Sequence, residues 1–320
     1  MTKATLPIWH AGEVSLQRAV GSEVQLARHG HRIVQSHLPE QHRRFYPQLP
    51  FIVAGSVDTT GDIWATVLAG RPGFLQSPDP SHLSVVYARN SDDPADAGMN
   101  DGDAVAVLGI ELHTRRRNRV NGTLHRTGPA AFEVEVEQAF GNCPQYIQLR
   151  EFDFVRDPAT AAAVPARTLS YLDERSREMI ANADTFFVAS YVEYPDGHRQ
   201  VDVSHRGGKP GFVRVAADGT LTIPDFAGNQ FFNTLGNLLA NPRAGLVFVD
   251  FENGDLLQLS GDAQVILESP EIAGFRGAER LWSVTPRKIV HRADALPLRW
   301  NFEPQGWSPE ALGTGSWQAA

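Results

Sequence analysis

The run Asp202-Val-Ser-His-Arg-Gly-Gly-Lys-Pro-Gly-Phe212 gathers the densest set of groups in this chain that can hold a charged ligand. Arg206 and Lys209 are cationic donors suited to a phosphate, and Gly207 and Gly208 let a ligand approach the backbone. Ser204 and His205 precede them as neutral donors. A second polar set follows one short strand later: Asn229, Asn233, Thr234 and Asn237. Phe231 and Phe232 interrupt it, and Trp300 lies nearer the C-terminus. Cations for a phosphate, neutral donors for a ring edge and aromatic cover for a ring face are what a flavin mononucleotide needs. Each feature also has a structural reading: a glycine-rich hairpin loop, helix-capping asparagines, core phenylalanines. Their combination carries the expectation.

Catalytic residues are not identifiable from the sequence. His205 can shuttle a proton, although a lone histidine beside a basic loop more often donates a structural hydrogen bond. Cys143, between Asn142 and Pro144, stands at a candidate helix start, where a thiolate is favoured; a buried, inert cysteine is the commoner case. His10, His29, His31, His37 and His42 show no ligand-pair spacing on one face, so no metal site is expected.

The elements that must position these groups are mostly strands. Leu221 to Pro224 reads as a strand, followed by a turn and a short asparagine-rich helix, a strand ending at Val247-Phe-Val-Asp-Phe251, a Gly254-Asp255 turn and a closing strand from Leu256 to Val265. Upstream, the first fifty residues have helical spacing, with a short helix from Glu40 to Gln48 entered at Pro39 and stopped by Pro50. Strands are expected at Phe51 to Val57, Trp64 to Leu68, Leu83 to Tyr87, Ala104 to Leu112, Val120 to His125 and Ala131 to Val136. A helical turn is expected at Gln145 to Arg150. Asp157 to Arg167 is the linker candidate, and Thr168 or Ser170 can cap a helix to about Asn182. The strand Thr185 to Val192 comes next.

That order restarts, and the residues restart with it. Phe51-Ile-Val-Ala-Gly-Ser56 parallels Phe186-Phe-Val-Ala-Ser190, and Gly70-Arg-Pro-Gly-Phe74 parallels Gly208-Lys-Pro-Gly-Phe212. Gly122 and Gly261 are 261 − 122 = 139 positions apart, and the same shift lays Ile110-Glu-Leu112 on Val249-Asp-Phe251. An internal duplication follows. The fold class expected is mainly β with flanking helices: tandem split β-barrels of Greek-key type that pack as a pseudo-dimer, closure removing exposed sheet edges. A fused duplicate is free to lose one of two equivalent sites. Where the second half has Ser204-His-Arg-Gly-Gly-Lys209, the first has Thr66-Val-Leu-Ala-Gly-Arg71, so one site is expected, completed by first-half arginines, with Arg116 the candidate.

Composition narrows the classes. At 320 residues the chain can bury two ordinary cores, and 42% hydrophobic with 21% charged residues describes a globular protein. A net charge of −8, with Arg115-Arg116-Arg117 as its one dense basic cluster, argues against a nucleic-acid partner. No apolar run reaches the roughly 18 to 20 residues of a membrane helix, and Met1 to Trp9 lacks the layout of a secretory signal, so no membrane partner and a cytoplasmic location are expected. A single cysteine excludes an intrachain disulfide.

Over Val201 to Val265, above all at Thr220-Leu-Thr-Ile-Pro224 and Leu239-Ala-Asn-Pro-Arg-Ala-Gly-Leu-Val-Phe248, the chain resembles the pyridoxamine 5'-phosphate oxidase-like, FMN-binding split-barrel superfamily, in particular a subgroup of longer bacterial proteins with two such units. The likeness extends more weakly to Phe51 to Thr123. It implies FMN at a barrel interface, contacted by Ser204, His205, Arg206 and Lys209 and by the stretch from Asn229 through Phe231, Phe232 and Asn233 to Thr234. Members that oxidise pyridoxamine phosphate end in a tryptophan followed by Arg-Leu-x-Pro and carry Ser-Arg-Lys on the crossover. This chain has Leu296-Pro-Leu-Arg-Trp-Asn-Phe302 and Phe231-Phe-Asn-Thr234, so pyridoxamine phosphate is not the expected substrate.

The units expected are an N-terminal helical segment (1–49), a first split barrel with a degenerate site (50–156), a linker (157–167), a flavin-binding second barrel (168–303) and a C-terminal tail (304–320). The function expected is an FMN-dependent oxidoreductase passing hydride or electrons between NAD(P)H or a redox protein and a small acceptor. The alternative is a non-catalytic flavin- or haem-binding module, with His205 as the axial ligand of a haem. A homodimer is left open.

Overall fold

A computed structural model describes residues 7–160 and 162–317. The first six residues of the stretch read for a secretory signal lie outside them. Three helices come first, α1 (Ala11–Ala19), α2 (Glu23–Ile33) and α3 (Glu40–Phe45). The first barrel follows with β1 (Phe51–Val57), β2 (Ile63–Ala69), β3 (Leu75–Gln76), β4 (His82–Val85), β5 (Ala104–Glu111), β6 (Arg116–Gly128) and β7 (Ala131–Gly141). After β8 (Arg150–Phe154), β9 (Arg167–Leu169) and α4 (Glu174–Asn182) comes the second barrel: β10 (Thr185–Glu193), β11 (Arg199–Gly207), β12 (Arg214–Val215), β13 (Leu221–Phe226), α5 (Asn233–Ala240), β14 (Arg243–Val249), β15 (Leu256–Ile266) and β16 (Ala278–Arg292). β17 (Leu298–Phe302) pairs with β8 and ties the end of one unit to the end of the other.

The fold is a tandem of split barrels. Its two large sheets run β2-β1-β5-β6-β7-β4-β3 and β11-β10-β14-β15-β16-β13-β12, which is one topology written twice. The duplication holds down to single glycines. A Cβ on Gly122 would stand 1.9 Å from the Glu135 carbonyl oxygen and one on Gly261 would stand 2.3 Å from that of Thr285, each at a register shift between the corresponding strands. Gly70 and Gly208 each lie under a phenylalanine ring, Phe74 and Phe212.

Strands β1 and β2 are buried at every residue, because both of their faces are covered. Successive residues point to opposite faces. Ile52 and Ala54 enter the core of the first barrel, while Val53 joins Phe187, Ala189, Val201, Val203 and Val247 in a core between the barrels. Phe186 and Val188 turn the other way, into the second barrel. The inter-unit core is thus built as a dimer interface within one chain. Arg243 of the Asn241-Pro-Arg243 motif reaches across it to Asp62 at 2.9 Å.

Three local expectations are corrected. Gln145 to Arg150 forms no helical turn: Tyr146 takes φ +63° with its N–H on Ser308 Oγ, and the chain goes on into β8. α4 is capped by Asp173, whose carboxylate accepts from the Ser176 N–H and hydroxyl, since Thr168 is committed to β9. The strand Leu256 to Val265 does not close the barrel, because β16 lies beyond it; Pro286 and flanking charges hide that strand's alternation.

Candidate functional site

Between the barrels lies a cleft of about 940 Å³, open mouth included. The second unit supplies Ser204 to Gly207 on β11, the segment leading into α5 and the first turn of that helix. The first unit supplies Arg117 and Arg119 from β6 and the loop carrying Asn142, Cys143 and Tyr146. Strand periodicity selects those arginines: residues 117, 119 and 121 share one face of β6, and residue 116 faces away.

Arg119 is the hub of the cleft wall. Its Nη1 donates to Asp202 Oδ1 at 2.8 Å and Asn233 Oδ1 at 2.9 Å, and its Nη2 to Ser204 Oγ at 2.5 Å. Asp202, buried, also accepts from Asn121 Nδ2 at 2.8 Å and Asn237 Nδ2 at 2.9 Å. On the opposite wall Arg206 and Arg280 share Asp225, at 3.1 and 3.0 Å. Arg117 differs. Its Nε donates to the Cys143 carbonyl at 2.6 Å, and among the described residues no carboxylate pairs with it. Burial pulls its pKa down to about 9, offset by Cys143 and reinforced by the Arg119 and Arg206 cations, which leaves it charged at neutral pH.

Several polar atoms in these walls have no protein partner: Arg119 Nε, Arg206 Nε, Asn142 Nδ2 and both ring nitrogens of His205. Burial, with the charges of Arg117, Arg206 and Arg150, holds His205 well below its usual pKa, so its ring is neutral. Tyr146, Gln230 and Phe232 all line the cleft with φ near +60° (63°, 60° and 62°), a region that costs a non-glycine residue about 1–3 kcal/mol. Tyr146 stacks on Phe226 at 5.2 Å, and the Arg280 guanidinium lies 4.8 Å over Phe232.

Of the residues singled out by sequence, Ser204, His205, Arg206, Asn229, Phe232, Asn233 and Thr234 come together here. Four others are placed elsewhere. Lys209 Nζ donates to the Thr314 carbonyl at 2.6 Å. Phe231 packs against Trp9 at 5.1 Å and Phe140. Arg116 lies over Phe45 at 4.4 Å and donates to the Gln41 carbonyl. Trp300 sits in the inter-unit core between Phe51 and Phe251. Missed by sequence reasoning were Arg117, Arg119, Asp225, Arg280 and Tyr146. A long polar side chain at every second position of a strand, Arg117-x-Arg119-x-Asn121, was the available signal.

Pseudo-symmetry generates a counterpart cleft from β2 and β15. Gln258 stands there where Arg119 stands in the first cleft (258 − 119 = 139), and Thr66 stands for Ser204. Thr66 donates to Asp93, which also accepts from Gln258 Nε2 at 3.0 Å and Arg292 Nη1 at 2.8 Å. All four are buried. Their own side chains fill the position.

Residues 172–295 match the family model of pyridoxamine 5'-phosphate oxidase. The second unit belongs to the pyridoxamine 5'-phosphate oxidase-like superfamily. This pyridoxamine 5'-phosphate oxidase-like unit supplies β11, α5 and Arg280 to the cleft, whereas Arg117, Arg119 and Tyr146 lie outside the matched span. Similar solved structures include a singly substituted form of HupZ from Group A Streptococcus (15% identity, 38% of this chain, 99% of that one, TM-score 0.29). Another is the haem storage protein HutZ of Vibrio cholerae (15%, 38%, 95%, TM-score 0.27). A third is a pyridoxamine 5'-phosphate oxidase-related, FMN-binding protein of Nostoc punctiforme (12%, 40%, 90%, TM-score 0.26). The search of curated proteins found no match.

Proposed function

We propose that the chain binds one FMN in the cleft between its barrels and acts as a flavin-dependent oxidoreductase, passing hydride or electrons from NAD(P)H or a redox partner to a small acceptor. The observation that carries this reading is the convergence, from both units, of cationic and neutral donors in excess of their protein partners: Arg117 without a carboxylate, and free nitrogens on Arg119, Arg206 and Asn142. Surplus donors in a concave, partly apolar cleft suit a phosphorylated, acceptor-rich ligand. In this reading Arg117 and Arg206 serve the phosphate, Ser204, Asn229 and Thr234 supply neutral hydrogen bonds, and Asn233, its amide bonded to Arg119 and Glu13, holds that wall in place. Phe232 and Tyr146 offer apolar cover. Lys209, Phe231, Arg116 and Trp300 support the surroundings instead. The flavin, when bound, supplies the redox chemistry, and the protein binds, orients and tunes it.

The test is the absorbance spectrum of the purified protein and of the protein with added FMN, followed by anaerobic mixing with NADPH and NADH. Flavin bands that bleach with a reduced nicotinamide support the reading. A protein that is colourless and takes up no FMN refutes it. His205, neutral and with both ring nitrogens free, favours a second reading as a non-catalytic haem holder, and a Soret band on adding haem, lost in His205→Ala, would replace the first.

A further inference from the structure

The wall of the cleft is held from behind by a helix outside the family-matched span. α1 crosses α5 at Gly12 and Gly236, so closely that a Cβ on Gly12 would lie 2.1 Å from the Gly236 carbonyl oxygen. That approach drives Glu13, wholly buried, under Asn233. Asn233 Nδ2 donates to Glu13 Oε1 at 2.5 Å, and the His10 N–H to Oε2 at 2.9 Å. Asn233 Oδ1 accepts in turn from Arg119, which reaches Ser204 in the cleft.

We propose that Glu13 is a positioning residue for the cleft, setting Arg119 and the first turn of α5 through Asn233, and that its ionisation weakens anion binding there. The identity of the anion rests on the flavin reading above. The groups facing Glu13 are His10 at the cap of α1, Asp202 on β11, Arg119 on β6, Asn233 on α5 and Tyr194 just past β10. His10 is neutral: its Nδ1 accepts from the Gly12 N–H, its Nε2 donates to Asn237 Oδ1, and burial lowers its pKa. Two buried carboxyls thus face a single guanidinium, which bonds Asp202 and reaches Glu13 only through Asn233. Asp202 has three donors on it, one of them the Arg119 cation, whereas Glu13 has none from a cation. Burial and the Asp202 charge raise Glu13 to about 8, against the bonds from His10 and Asn233 and the Arg119 cation. Above that pH a second negative charge lies behind the anion site and draws on Arg119. By linkage, an anion bound in the cleft raises the pKa of Glu13 by the matching free energy.

The test titrates FMN onto the full chain between about pH 6.5 and 9.5 and follows the melting temperature of the ligand-free protein over about pH 5 to 9, for wild type, Glu13→Gln and Glu13→Met, the window spanning the raised carboxyl. Wild type is expected to lose about tenfold in FMN affinity per unit of coupled pKa shift. Its melting temperature should also fall as pH rises, since the folded state keeps a proton that the unfolded state releases above about pH 4.5. Both slopes should flatten in the two variants. If either variant that folds keeps the wild-type pH slope of FMN affinity, the proposal is overturned. If wild type binds no FMN at any pH, the flavin reading fails, and an unchanged melting-temperature slope in the variants would then separately overturn the role of Glu13.

Discussion

Arg117 is the residue on which ligand affinity should depend most. A half-buried cation with no carboxylate on it among the described residues gains from an anion what Arg119 already has from Asp202. We expect Arg117→Ala to weaken FMN binding about 10- to 100-fold, the size of a charged hydrogen bond worth about 1.5–3 kcal/mol, with the melting temperature held or raised because a desolvated charge is removed. Arg116→Ala, one position away on the outer face of β6, should bind FMN as wild type does. Fluorescence titration of the two variants decides it. The comparison also marks where sequence reading stopped. The arginine cluster was visible, but which member faces the cleft depends on strand register, and a shift of one residue turns every side chain over. Lys209 misled for a related reason: its loop was recognised, whereas the carbonyl of Thr314 that holds its ammonium is 105 residues away.

At the scale of elements, α5 was legible and its support was not. Asparagines after a strand announced a polar crossover, yet nothing in α1 signals that Glu13 ends up beneath it, because the contact depends on two glycines far apart in sequence. Gly12→Ala should force α1 off α5, with an overpacking cost of about 1–3 kcal/mol, and lower FMN affinity although the substitution touches no ligand. Thermal unfolding and titration of the same sample check both effects. Strand β16 escaped notice because Pro286 breaks its pattern at the point where Gly261 on β15 shifts register.

For the molecule as a whole, the 139-residue spacing predicted two copies of one topology, and the strand orders are identical. Spacing could not say that one of the two resulting clefts is filled. With Asp93, Thr66, Gln258 and Arg292 bonded to one another, FMN titration should saturate at one equivalent per chain, and Arg292→Ala should lower stability by about 3–5 kcal/mol by stranding the buried Asp93 charge, leaving that stoichiometry unchanged. Isothermal titration with chemical denaturation checks the pair of outcomes. The core shared by Val53, Phe187 and Val247 has a further bearing on how the protein behaves in a cell. Two separate barrels would meet by diffusion, and a cleft formed between them would vanish as their abundance dropped. Tethered halves face each other at an effective concentration of order millimolar whatever the copy number. A pocket assembled this way stays whole in a cell that makes only a handful of molecules.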